Sequence, residues 1–128
     1  MPLNRRVLLL FAPILTLVGF LGFLVPAEAA LTSGAAPYNL FHIGFGLLGV
    51  GCLVSRRLAV IRAFNIGFGL IDVYQAVAGL LGLWPQSIFL WTRVDDGLHW
   101  VVGASLIGVG LLADRERPPR MTTLSNAA

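Results

Sequence analysis

Long apolar runs alternate along the chain with short polar breaks that carry most of its arginines. Four runs are long enough to cross a bilayer, which takes about 20 residues at a rise of about 1.5 Å each. They are Val7–Val25, Tyr38–Val54, Val60–Leu83 and Asp96–Ala113. In lipid the backbone polar groups must pair within the segment, so each run is predicted to be an α-helix. The alternating pattern of a membrane β-barrel is absent. The breaks at Pro26–Pro37, Ser55–Ala59 and Trp84–Asp95 are short, which makes sequence neighbours antiparallel neighbours in space. The expected architecture is an all-α integral membrane four-helix bundle over residues 1–113. Asp114–Ala128 is polar, holds Pro118 and Pro119, and is expected to be a disordered cytoplasmic tail.

Each run carries one stripe of small or polar residues at alternating spacings of three and four. The stripes are Ala12, Leu15, Gly19 and Gly22; Asn39, His42, Gly46 and Gly49; Asn65, Gly69, Asp72, Ala76 and Gly79; and Asp96, His99, Gly103, Leu106 and Gly110. The opposite faces are Leu, Phe, Ile and Val. Lipid tails are as apolar as leucine, so close packing over small residues and interhelical hydrogen bonds must hold such helices together. The stripes are therefore predicted to face inward in a left-handed, tightly packed bundle, with Gly19, Gly22, Gly46, Gly49, Gly79 and Gly103 at the helix contacts.

The two halves of the chain resemble each other. Each reads as G-x-x-G, then Pro, then a loop, then [N/D]-x-x-H-x-x-x-G. Gly19, Gly22 and Pro26 with Asn39, His42 and Gly46 answer Gly79, Gly82 and Pro85 with Asp96, His99 and Gly103. This predicts two pseudo-repeated helical hairpins, related by a two-fold axis along the membrane normal. The only two histidines would lie at equal depth, about one turn below the outer surface.

Composition agrees with the pattern. Hydrophobic residues make up 57% of the 128 residues and charged residues 12%, about half the charge of a soluble domain. Mean hydropathy is +0.84. A soluble enzyme, a disordered chain and a nucleic-acid-binding module are excluded. The nine basic residues, all Arg, give a net charge of +3. Eight of them (Arg5, Arg6, Arg56, Arg57, Arg62, Arg115, Arg117 and Arg120) fall on one side of the four spans, and Arg93 alone on the other. The positive-inside rule then puts both termini in the cytoplasm of a bacterial inner membrane. The lone Cys52 excludes an internal disulfide. A competing reading makes Arg5–Arg6, the first apolar run and Ala27-Glu28-Ala29 a cleavable signal peptide. That run has 19 residues, longer than the roughly 7–15 of a signal peptide.

Three places carry candidate chemistry. Asp72 sits near the middle of the third run, where a carboxylate costs about 2.5–3.5 kcal/mol on insertion scales. It must face protein or water, or be protonated, and Gln75 one turn away can share a hydrogen bond with it. Asn39 lies three residues before His42, and Asp96 and Asp95 three and four before His99. These spacings share a helix face, so a carboxylate or amide can orient each imidazole. Two facing histidines can also ligate a haem or a metal ion. The plainer reading is a histidine–carboxylate or histidine–amide hydrogen bond between helix ends. Third, the outer loop holds Trp84, Phe89 and Trp91, expected at headgroup level, and Arg93, expected to pair with Asp95 or Asp96.

Val18-Gly19-Phe20-Leu21-Gly22-Phe23, Asn39-Leu40-Phe41-His42 with Gly46-Leu47-Leu48-Gly49, and Asp95-Asp96-Gly97-Leu98-His99 carry a resemblance. On these residues the chain resembles the bacterial family catalogued as domain of unknown function 4383, over about Leu15 to Leu112. The resemblance implies a short four-helix membrane protein and supplies no activity. Family members often carry a further histidine after the second-helix Asn-x-x-His, where this chain has Gly44, Phe45 and Gly46. The expected role is structural or accessory in the membrane, non-enzymatic and without a cofactor. The expected partners are the lipid bilayer and either further copies of the chain or another membrane protein, with no nucleic acid. The alternatives are a haem- or metal-binding redox protein using His42 and His99, and a channel or transporter component with Asp72 as its ionisable group.

Overall fold

The computed structural model describes residues 1–115. These are all-helical: α1 (Leu3–Gly22), α2 (Ala36–Val54), α3 (Leu58–Leu81), the single turn α4 (Gln86–Phe89) and α5 (Arg93–Leu112). Three of them, α1, α2 and α3, are long and apolar enough to cross a membrane. In α5 the same length includes Asp95, Asp96 and His99, which lower its hydropathy. Arg117, Arg120, Pro118 and Pro119, and with them most of the expected tail, lie outside the described residues.

The helix limits differ from the hydropathy limits for local reasons. The first helix starts at Leu3, four residues early, because Asp114 supplies acceptors to its free N-terminal amides. Leu3 N and Asn4 N donate to the two Asp114 carboxylate oxygens at 2.9 and 2.8 Å. Asp114 thus caps α1 from the far end of the chain and is no part of a disordered tail. The third helix stops at Leu81 because Gly82 adopts the left-handed conformation (φ 66°). Leu83 N then closes back on Ala78 O at 2.9 Å, as in a Schellman stop. The fifth helix starts at Arg93, three residues early, because Thr92 and Asp95 form a reciprocal capping box.

Packing is strongest within two hairpins, α1 with α2 and α3 with α5. In both, bare backbone makes the contact. A methyl built on Gly46 would meet Thr16 N at 2.6 Å and Ala12 O at 2.9 Å. One built on Gly103 would meet Gly69 O at 2.8 Å. Gly19 lies against the Asn39 carbonyl, Gly49 against the Ala12 side chain, and Gly22 and Gly79 against the side chains of Asn39 and Asp96. No side chain fits at these crossings, which is why the helices approach so closely.

The buried positions recur at a constant spacing of 57 residues, the separation of Tyr38 from Asp95. Asn4, Leu8, Ala12, Leu15 and Gly19 of α1 answer to Ile61, Asn65, Gly69, Asp72 and Ala76 of α3. Tyr38, Asn39, His42, Gly46 and Gly49 of α2 answer to Asp95, Asp96, His99, Gly103 and Leu106 of α5. The glycine motif read from the sequence is therefore out of step by three residues. Gly22 corresponds to Gly79, whereas Gly82 lies outside the helix as its stop.

At the Leu3 end a polar network ties three helices together. Asn65 Nδ2 donates to Asn4 O and Oδ1 at 3.1 and 3.0 Å. Asn4 Nδ2 donates to Val109 O and to Asp114. Arg62 Nε donates to Gly110 O at 3.1 Å, which satisfies a carbonyl near the end of α5.

Candidate functional site

The other end of the bundle is organised around Asp95, which is 1% exposed. Its Oδ2 accepts from Thr92 N and from Ser33 N, each at 2.8 Å. Its Oδ1 accepts from the Tyr38 hydroxyl at 2.8 Å. The Thr92 hydroxyl reaches Leu31 O at 2.8 Å, and Ser33 Oγ donates to Phe89 O at 2.5 Å. One carboxylate therefore fastens the first loop, the start of α2 and the start of α5. With three donors already on it, Asp95 is a structural pin and has little capacity left for a ligand.

The imidazoles are held by other groups. His42 Nδ1 lies 2.8 Å from Tyr38 O. A carbonyl only accepts, so Nδ1 carries the hydrogen and Nε2 is left as an acceptor. The ring also leans on the Tyr38 ring, with centroids 4.2 Å apart. His99 packs against Trp91 in a T-shaped arrangement, centroids 5.7 Å apart, and its Nδ1 is buried without a partner among the described residues. Neither the Asn39–His42 nor the Asp96–His99 hydrogen bond expected from the spacing is formed. The polar partners turn instead toward the neighbouring helix of their own hairpin. Both side-chain polar atoms of Asn39 and Oδ1 of Asp96 are buried against Gly22 and Gly79, with no hydrogen-bond partner among the described residues. Asp96 Oδ2 meets Arg93 at 3.8 Å, a loose pair with an exposed guanidinium that contributes little stability.

The expected Asp72–Gln75 hydrogen bond is also absent. Gln75 Oε1 is buried without a partner among the described residues. Asp72, 3% exposed, receives no hydrogen bond among the described residues. The outer aromatics separate. Trp84 is 71% exposed. Trp91 is 6% exposed and stacks on Phe89 at 5.3 Å, because Gln86 brackets its backbone from both sides. It belongs to the core and not to an interfacial belt.

Asp72, His42 and His99, far apart in the sequence, line one cavity of about 260 Å³ between the hairpins. Tyr38, Asp95 and Thr32 complete its polar side. Phe11, Ile14, Leu15 and Val18 of α1 and Leu98 and Val102 of α5 form its apolar wall. Among the described residues no group of three or more His, Cys, Asp or Glu side chains is placed to hold a metal ion. An apolar cavity of about 150 Å³ takes a benzene molecule, so this one is far too small for a porphyrin. The geometry suits hydrogen bonding and ion pairing to a small molecule. No family model, no curated protein and no solved structure matches this chain.

Proposed function

We propose that this chain is a four-span protein of the bacterial cytoplasmic membrane, with a structural or accessory rather than enzymatic role. One observation supports this most directly: bulky apolar residues cover the outside while small and polar ones fill the inside. Leu9, Leu10, Leu17 and Phe20 of α1, Leu40, Leu47 and Leu48 of α2, and Leu70 and Leu80 of α3 are all exposed. An apolar jacket of this extent is unstable in water and suits hydrocarbon. The same sorting extends the proposal to α5. Its acidic residues are buried, and its outer face shows Val94, Leu98, Val101, Leu111 and Leu112. Arg5, Arg6, Arg56 and Arg57 at the Leu3 end support a cytoplasmic position for that end. The spacing of 57 residues supports an origin by duplication of a hairpin. Membership of the domain of unknown function 4383 family belongs to this proposal and rests on the motif residues. Gly44, Gly51 and Gly97, with open space beside them, suit contact with another copy or another membrane protein.

Cysteine labelling tests the topology. In a Cys52→Ala background, a membrane-impermeant maleimide should label Ser87→Cys in intact cells, and Arg57→Cys only after lysis. Equal labelling of both before lysis refutes the four-span arrangement.

A second reading, a channel or transporter component, is favoured by the cavity that joins Asp72 to His42 and His99. It requires pH-dependent flux in vesicles that Asp72→Asn abolishes.

A further inference from the structure

The cavity between the hairpins carries unused hydrogen-bonding capacity. The Asp72 carboxyl receives no hydrogen bond among the described residues and opens onto the cavity. His42 Nε2 is an acceptor, because Nδ1–H is committed to Tyr38 O. The donor nearest to hand, the Tyr38 hydroxyl, is committed to Asp95. The cavity therefore holds an unpaired carboxyl and an imidazole acceptor, with the uncommitted His99 ring and the Thr32 hydroxyl beside them.

Charge narrows the choice further. Two carboxyl groups, Asp72 and Asp95, line the cavity, and no arginine does. The arginines near these helices are occupied elsewhere, Arg62 on Gly110 O and Arg93 on Asp96. The described residues supply no counter-charge to Asp72, so its carboxyl is charged only when a cation from outside the chain sits beside it. An anionic ligand would be repelled by the two carboxyl groups, whereas a cation supplies the counter-charge that Asp72 lacks.

Size and access complete the description. A volume of about 260 Å³ is under twice that of a cavity known to hold benzene, which points to roughly ten non-hydrogen atoms. The walls are largely apolar, with Phe11, Ile14, Leu15 and Val18 on one side and Leu98 and Val102 on the other. Ile14 and Leu98, on α1 and α5, are about half exposed at the rim, so the cavity is reached from the side that faces lipid.

We propose that the cavity between the hairpins is a binding site for a small lipophilic ammonium compound, its charged nitrogen on Asp72 and His42 and its apolar body along α1 and α5. The proposal rests on the membrane-embedded reading above.

The test uses the full chain in lipid nanodiscs and three probes sharing one apolar body: 2-phenylethylammonium, 2-phenylethanol and phenylacetate. Binding is read by calorimetry and ligand-observed NMR against empty nanodiscs. The ammonium should bind saturably, about tenfold or more tighter than the alcohol, and the carboxylate should not bind. Asp72→Asn should remove the preference for the ammonium. Leu98→Trp, which fills the rim and leaves Asp72 in place, should reduce binding of both the ammonium and the alcohol, and it serves if Asp72→Asn fails to fold. Equal binding of alcohol and ammonium, or an ammonium preference retained in Asp72→Asn, overturns the assignment. So does the absence of saturable binding to a protein with wild-type helicity and cysteine-labelling topology. That last result would leave the four-span accessory reading intact.

Discussion

Replacing Gly103 with alanine tests the central claim about what holds each hairpin together. The added carbon would lie 2.8 Å from Gly69 O and 2.9 Å from both Val73 N and Val73 Cγ2. Carbon–oxygen contacts settle at about 3.3–3.6 Å, so α3 and α5 must separate by roughly 0.5–0.8 Å. Two of the three obstacles are backbone atoms and cannot rotate away. Overpacking of this kind costs about 1–3 kcal/mol. Alanine's better helix propensity returns at most about 1 kcal/mol. The net expectation is a loss of about 1–2 kcal/mol. Gly108, on the same helix, has nothing within 4 Å of the equivalent position. Gly108→Ala should be neutral or up to about 1 kcal/mol more stable. The two variants should therefore differ by about 2 kcal/mol, roughly thirtyfold in the folding equilibrium. Reversible titration of the protein from mild detergent into sodium dodecyl sulfate, followed by circular dichroism, measures that difference. Gly69→Ala removes the same contact, so the double variant should cost less than the sum of the singles. If Gly103→Ala is as stable as Gly108→Ala, backbone contact between α3 and α5 is not what joins them.

Further outcomes follow from the two ends of the bundle. Tyr38→Phe removes the donor to Asp95 Oδ1 and should cost about 1.5–3 kcal/mol in the same titration, the range for a hydrogen bond to a charged group. An unchanged midpoint would remove Asp95 as the pin of that end. At the other end, the Asn4 and Leu3 amides hold the Asp114 carboxyl below its usual range. A depressed folded-state value contributes stability above the unfolded pKa of about 3.9 and loses it as pH falls through the folded one. Amide protection at Leu3 and Asn4 should therefore be present at neutral pH, fall in strong acid, and be missing at every pH in Asp114→Ala. Hydrogen exchange measured by NMR decides this, and pH-independent protection in Asp114→Ala would contradict the cap. Purified protein should show no Soret band in its visible spectrum, because the cavity is too small for a porphyrin. A Soret band lost in His42→Ala and His99→Ala would reinstate the redox reading.

The inward stripes were legible because lipid inverts the usual sorting. Where the outside must be apolar, small and polar residues at three-four spacing can only be inside. Asn39, His42, Gly46, Gly49, Asn65, Gly69, Asp72, Gly103 and Leu106 are all buried, as their spacing required. Partners were less legible than faces. A shared face brought His42 near Asn39 and His99 near Asp96, but each ring bonds or packs elsewhere, because the neighbouring helix decides which atoms meet. The Thr92-x-x-Asp95 pattern is a readable helix start, and it would have placed the fifth helix correctly. The bonds from Asp95 to Ser33 and Tyr38 span about half the chain and left no local signal. The cavity is a gap between two units, so hydropathy could mark its polar lining but not its volume. The misplaced glycine register has a simple cause: glycine serves as a packing residue at Gly79 and as a helix stop at Gly82, and letters alone do not separate the two uses.

The bond from Asp114 to the first turn of α1 also bears on the order of assembly. A chain threaded into a membrane from its beginning delivers α1 long before residue 114 has been made. Until then the Leu3 and Asn4 amides have only water or headgroups, and the buried Asn4 side chain lacks Val109 O and Asp114. The first hairpin can insert and pack on its own glycines, but its Leu3 end stays open. Arrival of α5 and Asp114 closes it, so α1 gains its cap only after α5 has been made. A chain that stops short of Asp114 would hold its helices with the Leu3-end latch undone, its first-turn amides and the Asn4 side chain left without their acceptors.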